Sequence, residues 1–145
     1  MNDRYLYRAK RTDNGEWVEG NLVWSDDADD DYKAIIIPTT GSNMFTRGGS
    51  NGDLGFEKWY RVDPSTICQC TGLKDKNGKL IWENDICIIR DGTLDEEDGY
   101  FRLDWEIDRA MFEFEGPGLC VNFDNVYGYE CEVVGNIFDN PELLE

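Results

Sequence analysis

The side chains able to do chemistry in this chain come in sets two residues apart: Asp104, Glu106 and Asp108 in one stretch, Glu83 and Asp85 in another, Cys68 and Cys70 in a third. On a strand, residues i and i+2 share a face, so each set would be a cluster. Carboxylates spaced in this way can hold a divalent cation or act as an acid and base pair. Alternate acids are also the ordinary wet face of an antiparallel strand, and no knot of Lys or Arg stands beside them to grip a phosphate. The wet-face reading is favoured. For Asp85, a turn in which the short acid accepts backbone N–H groups explains Glu83-Asn84-Asp85-Ile86 better than acid catalysis does. Cys68 and Cys70 on a strand lie about 7 Å apart, which suits neither a low-strain disulfide nor a zinc site that lacks two further donors.

The chain contains no histidine, which removes imidazole bases, Ser-His-Asp and Cys-His nucleophiles and His-ligated metals. Asp75-Lys76-Asn77-Gly78-Lys79 starts like a calcium loop but lacks the later ligand positions, and the glycine-rich segment 48–55 lacks the Gly-Lys-Ser/Thr ending of a phosphate loop. No catalytic residue, cofactor or metal is therefore expected, and the chain reads as non-enzymatic.

The elements that would position these residues are strands. Residues 4–24 read as a hairpin turning at Thr12-Asp13-Asn14-Gly15, Asp26–Asp31 as a solvated acidic loop, and Ile35-Ile36-Ile37 as a buried strand stopped by Pro38. Segment 41–55, rich in Gly, Ser and Asn, is expected to be a mobile loop anchored only by Met44 and Phe45. Asn77-Gly78, between Leu73 and Leu80-Ile81-Trp82, predicts a type I′ hairpin. Phe101, Leu103, Trp105 and Ile107 alternate with Arg102, Asp104, Glu106 and Asp108, which predicts a half-buried strand with Trp105 in the core. Asn140-Pro141-Glu142 begins one helical turn. With short strands every ten residues or so and no long window of helical period, the expected fold is mainly β with little helix. Two small β-rich lobes are expected, an N-terminal subdomain 1–70 and a C-terminal subdomain 71–145, the latter SH3-like and barrel-forming by analogy.

The run Thr71-Gly72-Leu73-Lys74-Asp75-Lys76-Asn77-Gly78-Lys79, leading into Glu83-Asn84-Asp85-Ile86, closely resembles the signature of the YopX family of bacteriophage and prophage proteins. Tyr5–Ala9 with Trp17–Leu22 is similar to the family's opening strands, Val62–Ile67 to its approach to the core, and Val133–Leu144 to its closing segment. Cys68 and Cys70 depart from it, standing where Gly and an aromatic residue are expected. The resemblance implies a phage or prophage origin, hence the cytoplasm of a bacterial host, and implies no activity.

Composition agrees with that compartment. There is no long apolar run for a membrane and no signal-peptide pattern. Five cysteines without a secretory context read as free core thiols. The net charge is −17, and residues 91–145 hold 16 acids against Arg102 and Arg109 alone. Direct nucleic-acid binding is not expected, since phosphate neutralisation needs clustered cations. The expected role is a protein-binding module whose acidic surface, Asp95, Glu96, Glu97, Asp98, Asp104, Glu106 and Asp108, meets a basic protein partner. Solubility alone would also account for the acidity. The alternatives are a homo-oligomeric structural or assembly component and, less favoured, a carboxylate-based metal-dependent enzyme.

Overall fold

Tyr7–Lys10 (β1) and Trp17–Trp24 (β2) form the opening hairpin, with Tyr7 opposite Gly20 and Lys10 opposite Trp17. The coordinates are a computed structural model, which describes residues 3–27, 33–39, 43–47, 52–89, 100–116, 119–122 and 131–145. The chain divides into two compact units, the first spanning Tyr5–Gln69 and the second Met1–Arg4 with Cys70–Glu145. Among the described residues every regular element longer than four residues is a strand, and the helical elements are three short 3-10 turns.

In the first unit, β2 pairs with Ala34–Ile37 (β3), and β3 with Tyr60–Arg61 (β6). On the other side β1 pairs with the start of Cys68–Lys74 (β7). Period-two alternation sends Ala9, Val18, Leu22 and Ile36 to one side, where they pack with Ala34, Val62 and Ile67. Gly20 is required by contact, because a Cβ there would strike the Ile37 carbonyl. The remaining strands of this unit, Met44–Arg47 (β4) and Asp53–Phe56 (β5), form a separate two-stranded hairpin. The segment 41–55 is therefore not a loop throughout, as its composition predicts. Main-chain pairing joins 44–47 to 53–56, the Phe45 ring lies where a Gly55 side chain would stand, and Asn43 clasps the base of this pair.

In the second unit, Asp85–Ile89 (β9), Phe101–Glu106 (β10), Met111–Gly116 (β11), Leu119–Asn122 (β12) and Cys131–Asn136 (β13) form an antiparallel sheet in the order β12-β11-β10-β9-β13. The two outer strands, β12 and β13, are not paired with each other, so the SH3-like closure expected for this half is not made by the described strands. Ile81, Cys87, Ile89, Phe101, Leu103, Phe114 and Cys131 form its core. Leu80–Trp82 (β8) pairs with the end of β7.

Candidate functional site

Most of the signature is spent on backbone geometry. Between Cys70 opposite Trp82 and Lys74 opposite Leu80, β7 carries extra residues. Gly72 accommodates them at φ +83°, and the Thr71 hydroxyl donates to the Ile81 carbonyl at 2.8 Å. The turn beyond differs from type I′. Only Gly78, at φ +81°, is left-handed there. The Gly78 N–H donates to the Asp75 carbonyl and the Asp75 N–H to the Lys79 carbonyl, which is a type I turn followed by a left-handed glycine.

Asp75 explains that choice. One carboxylate oxygen accepts the N–H groups of Asn77 and Lys79, both at 2.9 Å, and the other accepts the Val133 N–H at 2.9 Å. Lys76 adds a backbone bond to the Cys131 carbonyl and an ion pair to Glu132 at 3.1 Å. The turn thus lies along the outer edge of β13. Burial would raise the Asp75 pKa, but the donors from Val133, Lys79 and Asn77, with the Lys79 charge, outweigh it and hold the group below the usual carboxylate range.

Asp85, fully buried, accepts the Trp82 N–H at 2.8 Å across a tight turn in which Asn84 is left-handed at φ 70°. The turn role predicted for it holds. Glu83 lies within the turn, so Glu83 and Asp85 are not a pair on one strand face. Cys68, Cys70, Cys87 and Cys131 are buried free thiols, as the sequence predicts, and burial pushes the Cys87 thiol far up, which leaves it unreactive. Cys120 and the quartet Asp95, Glu96, Glu97 and Asp98 are not placed here, because Cys120's side chain and the whole quartet lie outside the described residues.

The acidic row on β10 is part of a larger face. Register puts Asp104 opposite Glu113 and Arg102 opposite Glu115, so Asp104, Glu106, Glu113 and Glu115 share one side of the β10–β11 hairpin. The alternation Phe112-Glu113-Phe114-Glu115 was the available signal for the second half of this row. Like charges in opposition are unfavourable, and two arginines relieve them. Arg109 reaches Glu113 at 2.9 Å, while Arg102 lies 3.7 Å from Asp104 and donates to the Asn84 side chain at 3.0 Å. Glu106 accepts the Asp108 N–H at 3.1 Å in the connecting turn. No group of three or more acidic or cysteine side chains among the described residues has metal-holding geometry.

The opposite side of the hairpin corrects the sequence reading. Phe101 and Leu103 are core, but Trp105 is 36% exposed and Ile107 80% exposed. The neighbouring β9 pairs with β10 only at Phe101 and Arg102, so the far half of the hairpin outruns its sheet. Trp105 rests edge-on against Phe112, with ring centroids 4.9 Å apart. The result is an apolar tip, Trp105, Ile107 and Phe112, beside Asp104, Glu106 and Asp108. A separate open recess of about 500 Å³ is lined by Tyr100, Arg102, Glu115, Leu143, Leu144 and Glu145. Its one cation, two carboxylates and two leucines select no ligand by charge.

A family model for the YopX protein matches residues 6–145. The chain belongs to the YopX family. Among solved structures it resembles the crystal structure of protein EF1440 from Enterococcus faecalis, at 26% sequence identity and a TM-score of 0.61, with 96% of each chain covered. No curated protein matches it. No helix among the described residues is long and apolar enough to cross a membrane.

Proposed function

We propose that the protein is a phage- or prophage-encoded, non-enzymatic module of the bacterial cytoplasm that acts by contact with a basic protein. The observation that carries this reading is the β10–β11 tip, where Ile107 and Trp105 stand exposed beside three carboxylates. An apolar centre with a charged rim is the usual anatomy of a protein contact, and exposed aromatic anchors carry most of its energy. The acid-rich second half supplies the long-range attraction. Of the carboxylates with enzyme-like spacing, Asp85 accepts the Trp82 N–H, Asp104 lies 3.7 Å from Arg102, and Glu106 accepts the Asp108 N–H.

The test is affinity capture from phage-carrying host cells with the chain and its Trp105→Ser, Ile107→Ser double variant. A partner retained by the chain at low salt, lost at high salt and lost by the double variant is the expected result. A retained set identical for both proteins and indifferent to salt refutes the reading, since attraction between opposed charges is screened over about 8 Å at physiological ionic strength.

A further inference from the structure

We propose, resting on the contact just described, that the basic partner is held as an extended segment, added as a strand to the open edge of β10 and carrying cationic and apolar side chains in alternation. A turn makes that edge. β9 begins only at Asp85, where the chain has come round from β8 through Glu83 and the left-handed Asn84. The last main-chain bond on this side runs from the Asn84 N–H to the Leu103 carbonyl at 2.7 Å. In an antiparallel ladder successive residues turn their N–H and C=O groups to opposite neighbours. Leu103 turns to the β9 side, so Trp105 does too, while Asp104 and Glu106 lie between them opposite Glu113 and Met111 of β11.

Among the described residues no strand lies beside Trp105 on the β9 side, where pairing ends at Arg102. The Trp105 N–H is held instead by the Asp104 carboxylate at 3.0 Å. That cover is removable. A partner carbonyl takes over the N–H, and a partner cation takes over the carboxylate.

The two faces beside the edge say what the partner carries. Trp105 and Phe112 stand on one, and Asp104, Glu106, Glu113 and Glu115 on the other. Residues 101–116 hold five carboxylates against Arg102 and Arg109, a net −3. Arg109 is taken by Glu113, and Arg102 donates to the Asn84 side chain. A strand laid along the edge has the same period of two, so its residue opposite Trp105 meets the rings and that residue's neighbours meet Asp104 and Glu106. Lys or Arg alternating with Val, Ile or an aromatic residue fits both faces at once. An amphipathic helix, with a period of 3.6, cannot divide its side chains across a sheet edge in this way. The open stretch 104–106 is about 10 Å long, room for main-chain bonding at Trp105 and for side chains on either hand.

The probe is the capped peptide Lys-Val-Lys-Val-Lys, titrated into the full chain and read by calorimetry and by hydrogen exchange of the Trp105 amide. In the proposed register a valine opposite Trp105 turns its N–H to the protein, and the lysines turn theirs to solvent. The expected result is binding that weakens with salt, falls about fivefold when both valine backbone nitrogens are methylated, and changes little when two lysine backbone nitrogens are methylated instead. The isomer Lys-Lys-Lys-Val-Val, equal in charge, should bind severalfold more weakly, and the alternating peptide should slow Trp105 exchange severalfold. Equal affinity for the two methylated peptides, equal affinity for the isomer, no binding of the alternating peptide, or a Trp105 amide indifferent to bound peptide would each overturn the strand mode. In those cases a salt-sensitive partner lost by the Trp105→Ser, Ile107→Ser chain would still support the basic-partner reading, which falls only if that capture fails.

Discussion

Replacing Asp75 by Asn keeps the size of the side chain and removes its charge, and the three accepted N–H groups make the cost calculable. One amide oxygen can serve Asn77 and Lys79 in place of the carboxylate oxygen that does so. The amide NH2 then faces the Val133 N–H, donor against donor. One unsatisfied partly buried donor costs about 1–3 kcal/mol. Asp75→Ala abandons all three and should cost roughly 3–5 kcal/mol, near the upper end for single changes. The assay is urea unfolding, with the midpoint shift read at constant m-value. The pH dependence gives a second reading. Because the folded pKa of Asp75 lies below its unfolded value of about 3.9, its contribution is full above pH 4 or so and is lost as pH falls through the folded value. The gap between the parent chain and Asp75→Asn should therefore narrow in acid. An Asn variant as stable as the parent, or a gap unchanged down to pH 2, would refute the carboxylate's role.

Two further outcomes follow from the same geometry. Gly78→Val places a β-branched residue at φ +81° in open space, so the penalty is conformational alone, about 1–3 kcal/mol in thermal unfolding, and Gly78→Asn should recover most of it. On β10, Leu103→Ala should cost about 2–5 kcal/mol as a core truncation, whereas Trp105→Ala, at a position 36% exposed, should cost less than Leu103→Ala. Equal losses at the two positions would place Trp105 back in the core.

Local pattern revealed faces and turns, and long-range contact decided what covered them. The alternation of β10 correctly separates Phe101 and Leu103 from Arg102 and Asp104, but alternation says nothing of where a strand outgrows its neighbours, so Trp105 and Ile107 read as core. That a turn falls at Asn77-Gly78 was legible, but its type was not, since Gly78 alone is left-handed there. That Asp75 would reach Val133, 58 positions away, was not. The β4–β5 hairpin was hidden because main-chain pairing and one aromatic ring over a glycine leave no apolar period to find. The acidic face was half visible: Asp104 and Glu106 stood out in sequence, while Glu113 and Glu115 join them only through cross-strand register.

The turn that lies against β13 has a consequence for what happens when the protein fails. A strand at the border of a sheet normally offers its unpaired amides and carbonyls to any passing chain. On β13 the Val133 amide is taken by a carboxylate and the Cys131 carbonyl by the Lys76 amide, with a Lys–Glu pair alongside. The signature thus works as a gatekeeper against aggregation. A chain that lost Asp75 would expose Val133-Val134, a short β-prone pair, at a newly open border. Its first symptom in a cell would be insolubility and clearance by proteases.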